Sequence, residues 1–391
     1  VDYVNEIDDE LEIEQISDEE AYPFITWVGE EVDEAYYKAV MGIEINPGLD
    51  KSDFKIVYSP QHGADNIPVR TCLKRLGYDI VPVLAQCAPD PDYTNTKSPN
   101  PEVDASYELA IKLAKEVDAD VVAITDPDGD RLGVVAKHNG EYVLMSGNQS
   151  AAVYLEYILS QRKEKGTLPD NAVMYNTIVT SDLGELVARN YGVDVEKTLT
   201  GFKFIGDKIR KYEKTHEKQF IFGYEESYGC VVEDFVRDKD AVQAVLLAAE
   251  CGNYYKKQGK DLIDVLNELY AKYGTFKESQ IALAKAGAAG AARIKEMMDT
   301  LRKDKPTEIG GVKVVLSEDY ATSERSDGTT IDLPKSNVLK YYLEDGSWIA
   351  ARPSGTEPKC KFYFSIKGTD AKDAADKTEV FHKAMMELIG E

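Results

Sequence analysis

The chain has 391 residues, 43% of them hydrophobic, and a formal net charge of −24. The length suits two or three domains of ordinary size and the composition is that of a globular protein. The acidic balance argues against nucleic-acid binding, and no apolar run reaches the length of a membrane span. Cys72, Cys87, Cys230, Cys251 and Cys360 lack CxxC spacing, which points to free thiols in a reducing, cytoplasmic compartment.

Residues 1–24 are strongly acidic and show no domain pattern, so they are expected to be a connector from something upstream. From 25 to 145 helix and strand patterns alternate: "DEAYYKAVMGI" as helix, "FKIVYSP" as strand, "NIPVRTCLKRLG" as helix stopped by Gly77, "YDIVPVL" as strand, "VDASYELAIKLAKEV" as helix and "ADVVAIT" as strand. The alternation repeats from 146 to 272, ending in the long helix "DAVQAVLLAAECGNYYKKQ". From 273 to 391 the style changes to a helix, a hairpin across Asp345-Gly346, further strands and a closing helix. The expected fold class is α/β: two successive three-layer α/β/α domains with mixed sheets, followed by a smaller α+β C-terminal domain.

The stretch "ITDPDGDRLGVV", residues 124–135, places Asp126, Asp128 and Asp130 at alternate positions in a turn between two apolar strands. Carboxylates this close repel one another, and a hard divalent cation removes the repulsion. An EF-hand is excluded, because its sixth position would be Arg131 and its twelfth Lys137. A solvated acidic turn is the plain alternative. Arg131 favours a cation that also holds phosphate, because guanidinium grips phosphate oxygens in pairs.

Other loops follow strands in the same way. "SPQHG" carries His62, and "TGFKFIGD" carries Gly201, Phe202 and Lys203 at a strand-to-helix junction. "GYEESYG" offers Glu225 and Ser227, a carboxylate and a hydroxyl suited to vicinal sugar hydroxyls. "ARPSGTEPK" concentrates Arg352, Ser354, Gly355, Thr356 and Lys359 in one short turn, an inventory for cradling a phosphate dianion. Each of these, taken alone, also reads as an ordinary surface loop.

As a set, in this order, the loops resemble the α-D-phosphohexomutase family, the phosphoglucomutases and phosphomannomutases, over almost everything after residue 25. "DPDGDR" is similar to the family's metal loop, "TGFKFIGD" and "GYEESYG" to its sugar loops, and "RPSGTEPK" to its last phosphate loop. The resemblance implies a hexose phosphate substrate, phosphoryl transfer between the 1- and 6-positions through glucose 1,6-bisphosphate, and Mg2+ on Asp126, Asp128 and Asp130. It also implies Arg131 beside the reacting phosphate, and Lys203 and His62 as acid–base candidates. Gly201, Phe202, Glu225 and Ser227 would bind the sugar, and Arg352, Ser354, Gly355, Thr356 and Lys359 the distant phosphate.

One element departs from the family. No serine here sits in anything like T-A-S-H-N-P, the loop that carries the family's phosphoserine. The chain is therefore expected to correspond to domains two to four, with no phosphoserine of its own and little or no turnover alone. Phosphopentomutase, glucose-1,6-bisphosphate synthase and a non-catalytic sugar-phosphate-binding module are the alternatives. A dehalogenase-type phosphatase is disfavoured, because the D-x-D-x-T loop it needs is missing. The preferred sugar and the oligomeric state stay open.

Overall fold

The structure is a computed structural model describing residues 2–7, 9–355 and 357–391, so Thr356 lies outside the described residues. The chain divides into two compact units between Ala39 and Val40. The first contains helices α1 (Asp2–Asn5) and α2 (Asp18–Ala21) and most of α3 (Glu30–Met41). The short α2 is held by a capping box, in which Ser17 and Glu20 satisfy each other's backbone amides.

The second unit begins with a mixed sheet built from β1 (Lys55–Ser59), β2 (Asp79–Pro82), β3 (Val121–Thr125), β4 (Leu132–His138) and β5 (Glu141–Met145). Its order is β2-β1-β3-β4-β5, parallel through β3 and antiparallel from there. Every residue of β3 is buried, as the unbroken apolar run "VVAIT" requires of a strand covered on both faces. Helices α4 (Asn66–Leu76) and α5 (Glu108–Val117) supply the crossovers. The α4 helix stops at Gly77, whose φ of +91° suits glycine. On α5, Ala110 and Ala114 face inward against Val57, Val122 and Ile124.

The next sheet repeats this plan. Helix α6 (Gly147–Glu164) leads into β6 (Ala172–Thr177), α7 (Leu183–Asn190), β7 (Asp194–Thr198), α8 (Lys203–Thr215), β8 (Gln219–Tyr224) and β9 (Cys230–Val231). The order is β7-β6-β8-β9, with β6 parallel to both neighbours and β9 antiparallel. Helices α9 (Ala241–Lys256) and α10 (Leu262–Tyr273) close it.

The α9 helix is buried almost all round, because it packs against β9 of its own sheet and also against β3 and β4 of the preceding one. Phe54 comes so close to Gly252 that a Cβ there would lie 2.7 Å from the ring. Glu250, in the same helix, accepts from the backbone amides of Ile45 at 3.1 Å and Asn46 at 2.5 Å, and so ties the segment before β1 to α9. Burial pushes its carboxyl pKa up, against those two amides. A Glu250→Ala variant should lose about 2 kcal/mol in urea unfolding, because two part-buried amides lose their acceptor. A loss within about 0.5 kcal/mol would show that this tie is not structural.

The C-terminal domain is an antiparallel sheet of β10 (Thr275–Ala284), β11 (Glu308–Ile309), β12 (Val312–Asp319), β13 (Glu324–Arg325), β14 (Leu339–Leu343), β15 (Trp348–Pro353) and β16 (Lys359–Gly368). The β14–β15 hairpin turns at Asp345-Gly346, with Gly346 at φ +87°. Helices α11 (Gly287–Asp304) and α12 (Ala371–Ile389) cover one face around Met297, Phe362 and Phe381. The other face buries Tyr320, Val338 and Trp348 against Ile178, Val179 and Leu199, which follow β6 and β7. Two mixed α/β/α domains and a C-terminal α+β domain are therefore present. No helix among the described residues is long and apolar enough to cross a membrane.

Candidate functional site

The three aspartates lie where β3 ends and β4 begins. One oxygen from each of Asp126, Asp128 and Asp130 falls within 4.8 Å of the others. The turn is shaped by Asp126 itself, whose Oδ1 accepts from the amides of Asp130 at 3.0 Å and Arg131 at 2.8 Å. Burial raises the Asp126 pKa to about 7; the charges of Asp130 and Asp128 add to this, and those two amides oppose it. Asp130 Oδ1 is buried without a hydrogen-bond partner. A hard cation taking oxygen ligands answers all three observations, so the residues present fit a magnesium-type ion.

A fourth carboxylate stands behind the loop. Asp65, only 6% exposed, packs against Gly129, and a Cβ on that glycine would lie 2.4 Å from its carboxylate. Its pKa is also raised to about 7, by burial first and then by Asp240 and the three loop aspartates. From the other side, Gly63 presses on Pro127, and the Ala64 amide donates to the Pro127 carbonyl at 2.9 Å. The "SPQHG" segment thus buttresses the metal loop through its backbone. The His62 ring turns elsewhere, to the Ala88 carbonyl at 2.7 Å and the edge of Tyr93.

Arg131 is held among carboxylates. Its Nη1 donates to Glu102 at 2.8 Å, and its Nε lies 3.6 Å from both Asp126 and Asp130. Glu102, in the loop between β2 and α5, therefore supplies the acid that orients this guanidinium.

The three-aspartate loop and the loops that carry Gly201 and Glu225 are joined directly. The Leu132 amide donates to the Tyr228 carbonyl at 2.9 Å, and Ala241 to the Gly129 carbonyl at 3.0 Å. Glu225 Oε1 accepts from the Gly201 amide at 2.8 Å. Burial raises the Glu225 pKa, with Gly201, Lys239 and Arg131 opposing. Phe202 is buried in the core under α8. Lys203, by contrast, is exposed, with its amine over the ring of Phe204.

A second cation at the three-aspartate turn is Lys239. Its Nζ lies 2.7 Å from Asp130 and sits over the Phe202 ring. Burial works against its charge, but hydrogen bonds to Asp130 and Asp238 outweigh this and hold its pKa above the usual lysine value. Gly229 leaves the room it needs, since a Cβ there would strike its side chain at 2.1 Å. Sequence reading missed it. The signal available was a lysine set between Asp238 and the helix-capping Asp240.

Ser227 lines a cavity of about 250 Å³ with Glu102, Glu226 and, from the C-terminal sheet, Lys361 and Tyr363. Glu226 accepts from Thr177 at 3.1 Å and Thr180 at 3.3 Å. The β15–β16 hairpin carries Arg352 near the end of β15, Ser354 and Gly355 in the turn, and Lys359 at the start of β16. The Arg352 guanidinium lies beside the Tyr363 hydroxyl. The Ser354 amide donates to the Lys359 carbonyl at 2.7 Å, and both Ser354 and Gly355 are exposed. Among the described contacts, none carries this turn to the aspartates.

Three family models match the chain in order: phosphoglucomutase/phosphomannomutase α/β/α domain II over residues 34–140, α/β/α domain III over 146–273, and the C-terminal domain over 289–382. The phosphoglucomutase of Staphylococcus aureus strain MRSA252 is 36% identical over 382 residues, covering 96% of this chain and 68% of that protein. The chain belongs to the phosphoglucomutase/phosphomannomutase family. The phosphoglucomutase of Staphylococcus haemolyticus is also 36% identical, over 93% of this chain and 66% of that protein. The chain thus spans about two thirds of the length of the curated relatives it matches. Among solved structures, parafusin, a phosphoglucomutase from Paramecium, superposes with a TM-score of 0.67 at 18% identity, covering 92% of this chain and 63% of that one. At that identity the likeness is one of fold. For this family member, the matched domains are those in which the loops described above stand.

Proposed function

We propose that the chain carries the metal, sugar and distal-phosphate loops of a phosphoglucomutase-type enzyme that converts glucose 1-phosphate to glucose 6-phosphate. The observation that carries this reading is the Leu132–Tyr228 hydrogen bond, because it joins a three-aspartate turn directly to the Glu225–Ser227 loop. Asp126, Asp128 and Asp130 would hold Mg2+, which when bound supplies positive charge to a phosphoryl group in transfer. Arg131, oriented by Glu102, offers two donors to that phosphate. Glu225 and Ser227 bind sugar hydroxyls, with the Gly201 amide holding the carboxylate from behind. Arg352, Ser354, Gly355, Thr356 and Lys359 take the phosphate that is not reacting. Lys203 and His62 stay candidates for moving protons, and Lys239 joins them on its contact with Asp130.

In this reading the phosphorylated serine comes from outside residues 1–391. The test is a coupled assay for glucose 6-phosphate with Mg2+ and a trace of glucose 1,6-bisphosphate. It compares residues 1–391 with a form extended by the upstream coding sequence. Turnover by the extended form alone supports the reading. Turnover by residues 1–391 would overturn the placement of the serine, and no turnover of any hexose phosphate by either form would overturn the function.

A magnesium titration of the isolated chain gives a nearer check. Binding should be weak but measurable by calorimetry, and Asp130→Asn should weaken it roughly tenfold or more, since an anionic ligand is lost. Equal affinity in the variant would remove Asp130 from the ligand set.

A further inference from the structure

Lys340 lies in β14, and its side chain is fully buried in the joint between the C-terminal sheet and the domain before it. Its Nζ donates to the Ile178 carbonyl at 2.7 Å, across that joint. The same nitrogen sits 3.9 Å from the centre of the Trp348 ring and 4.7 Å from that of Tyr342. The surrounding cluster is apolar, with Ile178, Val179 and Leu199 on one side and Tyr320, Val338 and Trp348 on the other.

The neighbouring charges are committed elsewhere. Glu318, from β12, accepts from Arg325 at 2.8 Å, Tyr320 at 2.6 Å and Tyr342 at 3.1 Å. Asp182, ahead of α7, and Glu185, on α7, bind Lys197 of β7 at 3.1 and 2.5 Å. Among the described residues no carboxylate comes within ion-pair distance of Lys340. One carbonyl satisfies one N–H, which suits a neutral amine and leaves an ammonium short of acceptors.

The joint touches both candidate binding loops. Ile178 lies between Thr177 and Thr180, the two residues that hold Glu226 beside Ser227. Tyr363, in the same cluster as Trp348, lies beside Arg352. We propose that Lys340 is a proton-sensitive positioning residue: with its amine neutral, the C-terminal sheet seats firmly on the Ile178 loop, and with it charged the seat loosens. Its consequence for substrate, the facing of the Arg352 turn and the Glu225–Ser227 loop, rests on the function proposed above. The joint itself does not.

Burial takes the pKa of this lysine down to about 7; the charge on Lys197 lowers it further, while Asp182, Glu185 and Glu318 oppose. The aromatic faces also favour the cation, so the seat is weakened at neutral pH rather than lost. Once unseated, the amine is solvated and titrates near 10.4. Between those values the unseated state binds more protons. Seating therefore strengthens as pH rises from about 7, by up to about tenfold per pH unit, and is flat below it.

The chain has two tryptophans, Trp27 and Trp348, so Trp27→Phe leaves Trp348 as its reporter. Its emission should titrate with a midpoint near pH 7, and the titration should vanish in Lys340→Met. Hydrogen-exchange protection of residues 177–180, corrected for intrinsic rates, should climb several-fold from pH 7 to 9 in the native sequence and stay level in Lys340→Met. Lys340→Arg, charged throughout, should stay level from pH 7 to 9 and be less protected than the native sequence at pH 9. A flat Trp348 emission, or the same climb in Lys340→Met, would overturn the proposal, and the native-sequence titration decides even if a variant fails to fold. Neither readout needs substrate. A titrating joint in a chain that binds no glucose 6-phosphate would keep the joint and sink the functional reading, while a flat joint in a chain that binds it would do the reverse.

Discussion

Gly63→Ala should destabilise the chain by about 2 to 3 kcal/mol and weaken Mg2+ binding with it. A Cβ at this position would lie 2.4 Å from the Pro127 Cα, 2.7 Å from its carbonyl oxygen and 2.8 Å from its carbonyl carbon. All three are backbone atoms, so no rotamer change can relieve the contact. Pro127 lies between Asp126 and Asp128, and the Ala64–Pro127 hydrogen bond fixes the same approach. The methyl must therefore push the metal turn out of register. Urea unfolding and calorimetry with Mg2+ would read both losses. A variant as stable as its parent, with unchanged metal affinity, would mean that the "SPQHG" backbone does not set the turn. Because no charge changes, an electrostatic explanation of a loss is excluded in advance.

The substitution Asp128→Asn should do two opposite things. Asp128 is exposed, while one of its carboxylate oxygens lies within 4.8 Å of oxygens of Asp126 and Asp130. Removing its charge relieves repulsion, so the metal-free chain should gain about 0.5 kcal/mol. Mg2+ affinity should fall roughly tenfold or more, because one of three anionic ligands is gone. The native chain should show a rise in Tm with saturating Mg2+, and the variant little or none. Loss of stability in the metal-free variant would show that Asp128 shapes the turn. An unchanged response to Mg2+ would place the cation elsewhere.

The loops were legible in the sequence because each chemistry-bearing residue type is crowded between an apolar strand and a glycine or proline. The strands themselves were legible where burial on both faces leaves an unbroken apolar run, as in "VVAIT". The edge strand β10 was not, since along "TFKESQIALA" only Phe276 is fully buried and polar residues interrupt the apolar alternation. Lys239 and Glu102 were missed for a different reason. Each acts on a residue far along the chain, Asp130 and Arg131; the acids flanking Lys239 hint at a tethered cation but not at Asp130, and Glu102 carries no local pattern that marks it. Lys340 looked like one polar position in a strand, and its burial follows from which face of the hairpin meets the neighbouring domain. Tertiary placement of this kind has no periodicity to read.

The α9 helix, packed on its own sheet and on that of the preceding domain, sets a rule for cutting and exchanging pieces of this protein. A break in the short link between β5 and α6 would look natural from the repeat of strand and helix. It would strip β3 and β4 of the layer supplied by α9 and leave Phe54 without the surface around Gly252. The smallest transferable module on this side of the C-terminal domain is therefore the pair of sheets together. Grafts between relatives that keep the pair intact should stay folded, whereas hybrids spliced between the two sheets should require a matched α9 from the donor of the first.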